Sequence, residues 1–144
     1  MDSFALWTIS DIFNEFPYPA STLVGGFGLL TIDGLPKPGY HAYRLLHRLG
    51  SSELPIEVHG DPDGTIAGRL DGWATRSPDG CQILLSHYIL PTQDVVQPQH
   101  VTIVVRGLQP GSTRAMSEFR VDPEHAAVLH AWPAIGLPRT PTRA

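Results

Sequence analysis

The sequence predicts a mainly β fold: an antiparallel β-sandwich preceded by one strand–loop–helix unit. Three observations carry that prediction. The hydrophobic period changes near Gly50, from one helical pattern to a series of short apolar runs. Two turn sequences, SPDG at Ser77–Gly80 and QPGS at Gln109–Ser112, sit between such runs as hairpin turns do. Fourteen glycines and fourteen prolines are spread along 144 residues, which fits many turns between short strands and not a disordered tract.

The chain opens on FALWTISDIFNE, in which Phe4, Ala5, Leu6, Trp7 and Ile9 do not alternate with polar residues. A surface strand alternates, whereas a strand apolar on both faces belongs inside a parallel sheet covered by helices. Here it has few neighbours to cover it. The segment GGFG downstream of it reads as a tight turn. PGYHAYRLLHRL then places Ala42, Leu45, Leu46 and Leu49 at i, i+3, i+4 and i+7, one apolar helix face over Pro38–Leu49. Pro38 suits the first turn, Gly50 the position past the end, and Arg44, His47 and Arg48 the negative end of the dipole. Residues 1–50 thus form one βα unit.

Residues 51–144 carry strand signals: LPIEVHG, TIAGRLDGWATR, CQILLSHYIL, VTIVVRGL and TRAMSEFRV. Short strands at this spacing, joined by hairpin turns, point to the sandwich. In DPEHAAVLHAW, Asp122 reads as a helix cap, with Pro123 at the first helical position and Glu124 in the first turn. The final GLPRTPTRA lacks periodicity and is expected to fray.

Composition narrows the function. A net charge of −4 without any Lys/Arg block offers no field for nucleic-acid phosphates. No stretch reaches transmembrane length, so no membrane role is expected. The single cysteine, Cys81, excludes an internal disulfide. The N-terminus MDSFALWTIS lacks the charged and long apolar regions of a signal peptide, which favours a cytoplasmic location.

Several residues invite chemistry. Asp11 and Glu15 come after the apolar strand at the end where barrel active sites collect, although Asp11 also reads as a turn cap and Glu15 as a solvated residue. His41 with His47, and His125 with His130, lack the i, i+4 spacing of a helical metal pair, so no metal site is expected. His125 reads instead as an anchor for the turn after Asp122. GGFG lacks the third glycine of a dinucleotide fingerprint, and no cofactor is expected. Ser10, Ser86 and Cys81 have no nucleophile context. Trp7, Trp73 and Trp132 could stack on sugar rings, but core packing is the plainer expectation.

WTISDIFNE followed by GGFGLLTIDGLPKPGYHAYRLLHRLG resembles the eighth βα unit of glycoside hydrolase family 39, the β-xylosidase and α-L-iduronidase group. LSHYILP, VTIVVRGLQPG and FRVDPEHAAVLHAW resemble the accessory β-sandwich of its bacterial β-xylosidases. The resemblance implies the last βα unit of a (β/α)8 barrel over residues 1–50 and the sandwich over residues 51–144. It also implies a retaining glycosidase whose two catalytic glutamates lie upstream of Trp7, so no catalytic residue is expected in this chain. Glu15 falls where the family has a carboxylate bound to substrate hydroxyls, with Trp7 and Phe13 as further candidate substrate-binding residues. Asn14 stands where family members often have a second acidic residue, and Ala126 and Ala127 replace a more polar pair. The implied role is structural or accessory, with a β-xyloside or related saccharide bound only by a complete barrel. The alternatives are a carbohydrate-binding module, recognisable by an exposed row of Trp73, Tyr88 or Trp132, and one part of a split glycosidase. In the last case the partner is a chain carrying the rest of the barrel. Self-association is the other way to cover the orphan strand.

Overall fold

The computed structural model describes residues 5–12, 26–59, 70–87, 98–111, 113–134 and 136. Its regular elements are α1 (Pro38–Leu46), β1 (Ser52–Leu54), β2 (Leu70–Ser77), β3 (Gly80–His87) and α2 (Val128–Ala134). The strands form one antiparallel sheet in the order β1-β2-β3. The chain divides into two compact units, residues 1–47 with 119–144, and residues 48–118.

In the second unit the hairpin has the expected chemistry. Ser77 pairs with Gly80, leaving Pro78 and Asp79 as the loop. Gly80 adopts φ 133°, a region side chains disfavour. The Ser77 hydroxyl accepts from the Asp79 N–H at 3.3 Å and from Gln82 Nε2 at 2.9 Å. Thr75 and Gln82 face each other across the strands, and the Thr75 hydroxyl donates to Gln82 Oε1 at 3.2 Å. Thr75 is buried, so these contacts satisfy a group that would otherwise be costly to bury.

Other strand signals are not realised. Residues 55–59, 101–108 and 113–121 form no strand, and Val101, Ile103, Val104, Val105 and Leu108 remain exposed. VTIVVRGL shows the reason: Val104 and Val105 are adjacent, so the run is apolar on both faces and needs cover on both. The one three-stranded layer formed among the described residues does not supply that. The QPGS turn is seen only at Pro110 and Gly111, because Ser112 lies outside the described residues.

In the first unit α1 begins as expected, with Lys37 as the extended N-cap and Pro38 in the first turn. It ends at Leu46 instead of Leu49, and none of its residues is buried. Gly50 is therefore not its cap. Its role belongs to the sheet: the Gly50 N–H donates to Thr75 Oγ1 at 2.8 Å, and a Cβ there would collide with the Arg76 carbonyl.

The expected second helix is also displaced. Asp122 does receive the backbone N–H groups of Glu124 and His125, at 2.9 and 2.7 Å, but they belong to a closed turn in which the Asp122 N–H donates to the His125 carbonyl at 3.0 Å. Ala126, at φ 59°, turns the chain out of helical geometry, and α2 starts only at Val128. Trp132 on α2 is 5% exposed, in line with the core expectation for that ring.

Candidate functional site

The apolar opening does not form a regular strand. Residues 5–9 have no ladder, and Ser10 makes one isolated parallel bridge to Leu30. Around it the Leu30 N–H donates to the Ile9 carbonyl at 2.9 Å, the Asp11 N–H to the Leu30 carbonyl at 3.0 Å and the Leu29 N–H to the Thr8 carbonyl at 3.3 Å. Leu6, Ile9 and Ile12 are exposed, and Trp7 is 73% exposed. A run apolar on both faces needs cover on both, and among the described residues these side chains lack it.

Asp11 organises the segment from Gly26 to Lys37. Its side chain is 1% exposed and lies 2.6 Å from the Lys37 ammonium, which is 17% exposed. The same oxygen, Oδ1, accepts the Gly28 N–H at 2.8 Å, and Lys37 Nζ also reaches the Gly26 carbonyl at 3.1 Å. A buried carboxylate is tolerable when it is both paired and hydrogen-bonded, as this one is. The glycines make the approach possible. A Cβ on Gly26 would overlap the Asp11 carboxylate, and one on Gly28 would overlap the Ser10 backbone. Gly26 and Gly28 of GGFG thus wall a carboxylate cradle, while Gly25 lies outside the described residues.

Beyond the cradle, the Thr31 hydroxyl accepts the Leu35 N–H at 3.1 Å, and the Thr31 N–H donates to the Leu35 carbonyl at 2.9 Å. Gly34, at φ 78°, closes that turn. The Lys37 N–H then donates to the Leu29 carbonyl at 2.9 Å, joining the turn to the start of α1.

Of the sequence-derived site residues, Trp7 stands at the surface, while Phe13 and Glu15 lie outside the described residues. Asp11 is committed to the fold through the distant Gly28 N–H and Lys37 ammonium and not as the local turn cap the sequence suggested. Lys37 was not singled out by the sequence for this pairing. Its signal was faint: a lone lysine flanked by two prolines at a helix start. His125 anchors its turn as expected, its Nδ1 lying 2.8 Å from Asp122 Oδ1. That contact holds the Asp122 carboxyl below the usual carboxylate range. On α1, partial burial and then the nearby Arg44 lower the His41 pKa. Among the described residues no group of three or more His, Cys, Asp or Glu could hold a metal ion, and no helix is long and apolar enough to cross a membrane.

A buried aspartate cradled by glycines after an exposed tryptophan gives structure to the WTISD…GGFG…PKP pattern. The family model for glycosyl hydrolases family 39 matches residues 1–144. The chain belongs to glycosyl hydrolases family 39. It is 29% identical over 135 residues to a β-xylosidase of Caldicellulosiruptor saccharolyticus, covering 94% of this chain and 26% of that protein. It is 29% identical over 145 residues to a β-xylosidase of Geobacillus stearothermophilus, covering 99% of this chain and 26% of that protein. The family 39 chain therefore spans about a quarter of the length of the curated relatives it matches. No solved structure gives a significant match.

Proposed function

We propose that this chain serves as the C-terminal region of a retaining family 39 glycosidase and is not catalytic alone. In this reading residues 1–50 are the last βα unit of a (β/α)8 barrel and residues 51–144 an accessory β-sandwich. Trp7, Phe13 and Glu15 help wall a saccharide site, and the two catalytic glutamates come from upstream barrel sequence. The observation that carries the reading is Trp7, exposed on a segment pinned four residues later by Asp11, in a chain matched throughout by the family. Exposed Leu6, Ile9 and Ile12 add support, because barrel neighbours would cover them.

Retaining hydrolysis needs two carboxyl groups about 5 to 5.5 Å apart across the scissile bond. The purified chain should therefore leave aryl β-xylosides intact. Supplying the N-terminal portion of the Geobacillus enzyme as a separate chain should restore turnover, and Glu15→Gln should then reduce it less than loss of the nucleophile does. Turnover by the chain alone, abolished by Glu15→Gln, would refute the reading.

A further inference from the structure

The unit of residues 48–118 contains an open groove of about 460 Å³ lined by Glu53, Leu54, Pro55, Ile56, Gly72 and Trp73. Its volume is in the range of small-ligand sites. The register explains its origin. β1 pairs with β2 through Ser52, Glu53 and Leu54, then meets Pro55, which has no N–H to continue a ladder. Gly72 and Trp73 stay paired to β3 through Leu85 and Leu84 but have no partner on β1. A notch is left along that edge. Gly72 keeps it open, since a Cβ there would lie 3.3 Å from Leu85 Cδ2 and 3.5 Å from Ile56 Cδ1.

Two polar groups in the notch are available to a ligand. Glu53 pairs with Thr75, so it shares a face with Trp73 two residues along β2. Among the described residues the Glu53 carboxylate has no hydrogen bond or ion pair, and the indole N–H of Trp73 has no acceptor. Trp73 is 45% exposed. Neighbouring groups are already used: the Asp71 carboxylate accepts the Gly72 N–H at 2.8 Å, and the Thr75 hydroxyl is taken by Gly50 and Gln82.

The groove therefore offers a flat apolar ring, one N–H donor, one anionic acceptor and an aliphatic wall, all on a hydrogen-bonded sheet. None of its lining residues is a cation, so an anionic ligand would meet only repulsion from Glu53. A neutral pyranose matches the set, with C–H groups against the indole and hydroxyls for Glu53 and the indole N–H. We infer that this groove binds a neutral pyranose oligosaccharide. The inference does not depend on the chain completing a glycosidase.

The test is titration of the intact chain with xylotriose, followed by tryptophan fluorescence and calorimetry. Saturable binding is expected on the order of millimolar Kd, little changed by salt because the ligand is neutral. Trp73→Ala should abolish it. Trp73→Phe, which keeps a ring but not the N–H, should weaken it, and Glu53→Gln should weaken it about tenfold. Met116→Ala, at a residue 91% exposed and outside the groove lining, should leave it unchanged. Far-UV circular dichroism checks that each variant keeps the sheet, and the surface position of Glu53 makes its variant the control for folding. Absence of heat up to about 10 mM xylotriose would overturn the inference. So would affinity retained in both Trp73→Ala and Glu53→Gln, or a Trp73 signal that tracks protein concentration in place of ligand, which would give the groove to a second copy.

Discussion

Across residues 8–12 and 26–37 the chain is ordered by side chains gripping backbone, whereas across residues 50–54 and 70–87 it is ordered by a backbone ladder that side chains reinforce at one end. In the first region regular pairing shrinks to isolated bridges such as that of Ser10 with Leu30, and one carboxylate oxygen holds both an ammonium and an amide. In the second, eight residue pairs run from Leu70–His87 to Ser77–Gly80, and Thr75 and Gln82 sew the turn end. Many weak bonds tolerate the loss of one. A few strong contacts around a buried charge do not, because removing one partner leaves the other uncompensated.

The sharpest way to break this contrast is Asp11→Asn. The amide oxygen can still accept the Gly28 N–H, but Lys37 loses its counter-ion, and a loss of about 3 kcal/mol is expected in urea unfolding. A second change, Lys37→Met, should recover part of it. Amide exchange should speed up at Leu29 and Leu30 and stay slow at Ala74 and Ile83. Equal acceleration in both regions would show that one kind of order governs both.

A smaller effect is expected from Thr75→Val, which keeps the shape but removes the acceptor of Gly50 and the donor to Gln82. A cost of about 1 to 2 kcal/mol is expected for leaving a half-buried amide unpaired, and Thr75→Ser should restore most of it. Exchange at Gly50 reports the change directly. If Gly50 exchanges no faster in the valine variant, the hydroxyl is not what holds the chain entering β1.

The smallest effect belongs to the surface turn at Asp122. Hydrogen bonding to the His125 side chain lowers the carboxyl pKa most, aided by the His125 and Glu124 N–H groups and opposed by desolvation. The folded carboxyl gives up its proton more readily than the unfolded one. Its contribution is therefore present above the usual aspartate range and lost as pH falls through the lowered value. The amide shifts of Glu124 and His125, monitored by NMR through acid pH, should move together with that midpoint, and Asp122→Ala should abolish the transition with little change in overall stability.

Legibility in the sequence was local. Pro38 beginning a helix, SPDG closing a hairpin and Asp122 receiving the N–H groups after it each depend on residues within one turn of one another. The Asp11–Lys37 pair was hidden because its members are 26 residues apart and no period links them. Gly50 misled because a glycine past a helical pattern resembles a cap, while its actual constraint comes from Arg76, far along the chain. VTIVVRGL misled differently: strand propensity describes a segment that would fit a sheet, not the presence of a partner. The tryptophans were read alike, and the structure separates them, Trp132 inside and Trp7 outside with Trp73 between. The family was legible through motifs, yet Phe13 and Glu15 fall outside the described residues.

Lys37 engages every polar group it has. Its N–H goes to Leu29, its carbonyl receives the Tyr40 and His41 N–H groups, and its ammonium holds Asp11 and Gly26. The helix it opens has nine residues, below the roughly 12 to 15 at which even favourable isolated helices become marginal. Such a helix cannot nucleate dependably for itself. Docking of Lys37 onto Asp11 fixes the first turn from outside, so the entropy of closing the intervening chain is met in the same event that starts α1. The start of α1 is thereby tied to a residue 26 positions earlier in the chain, so whatever frees Asp11 also frees the first turn of the helix.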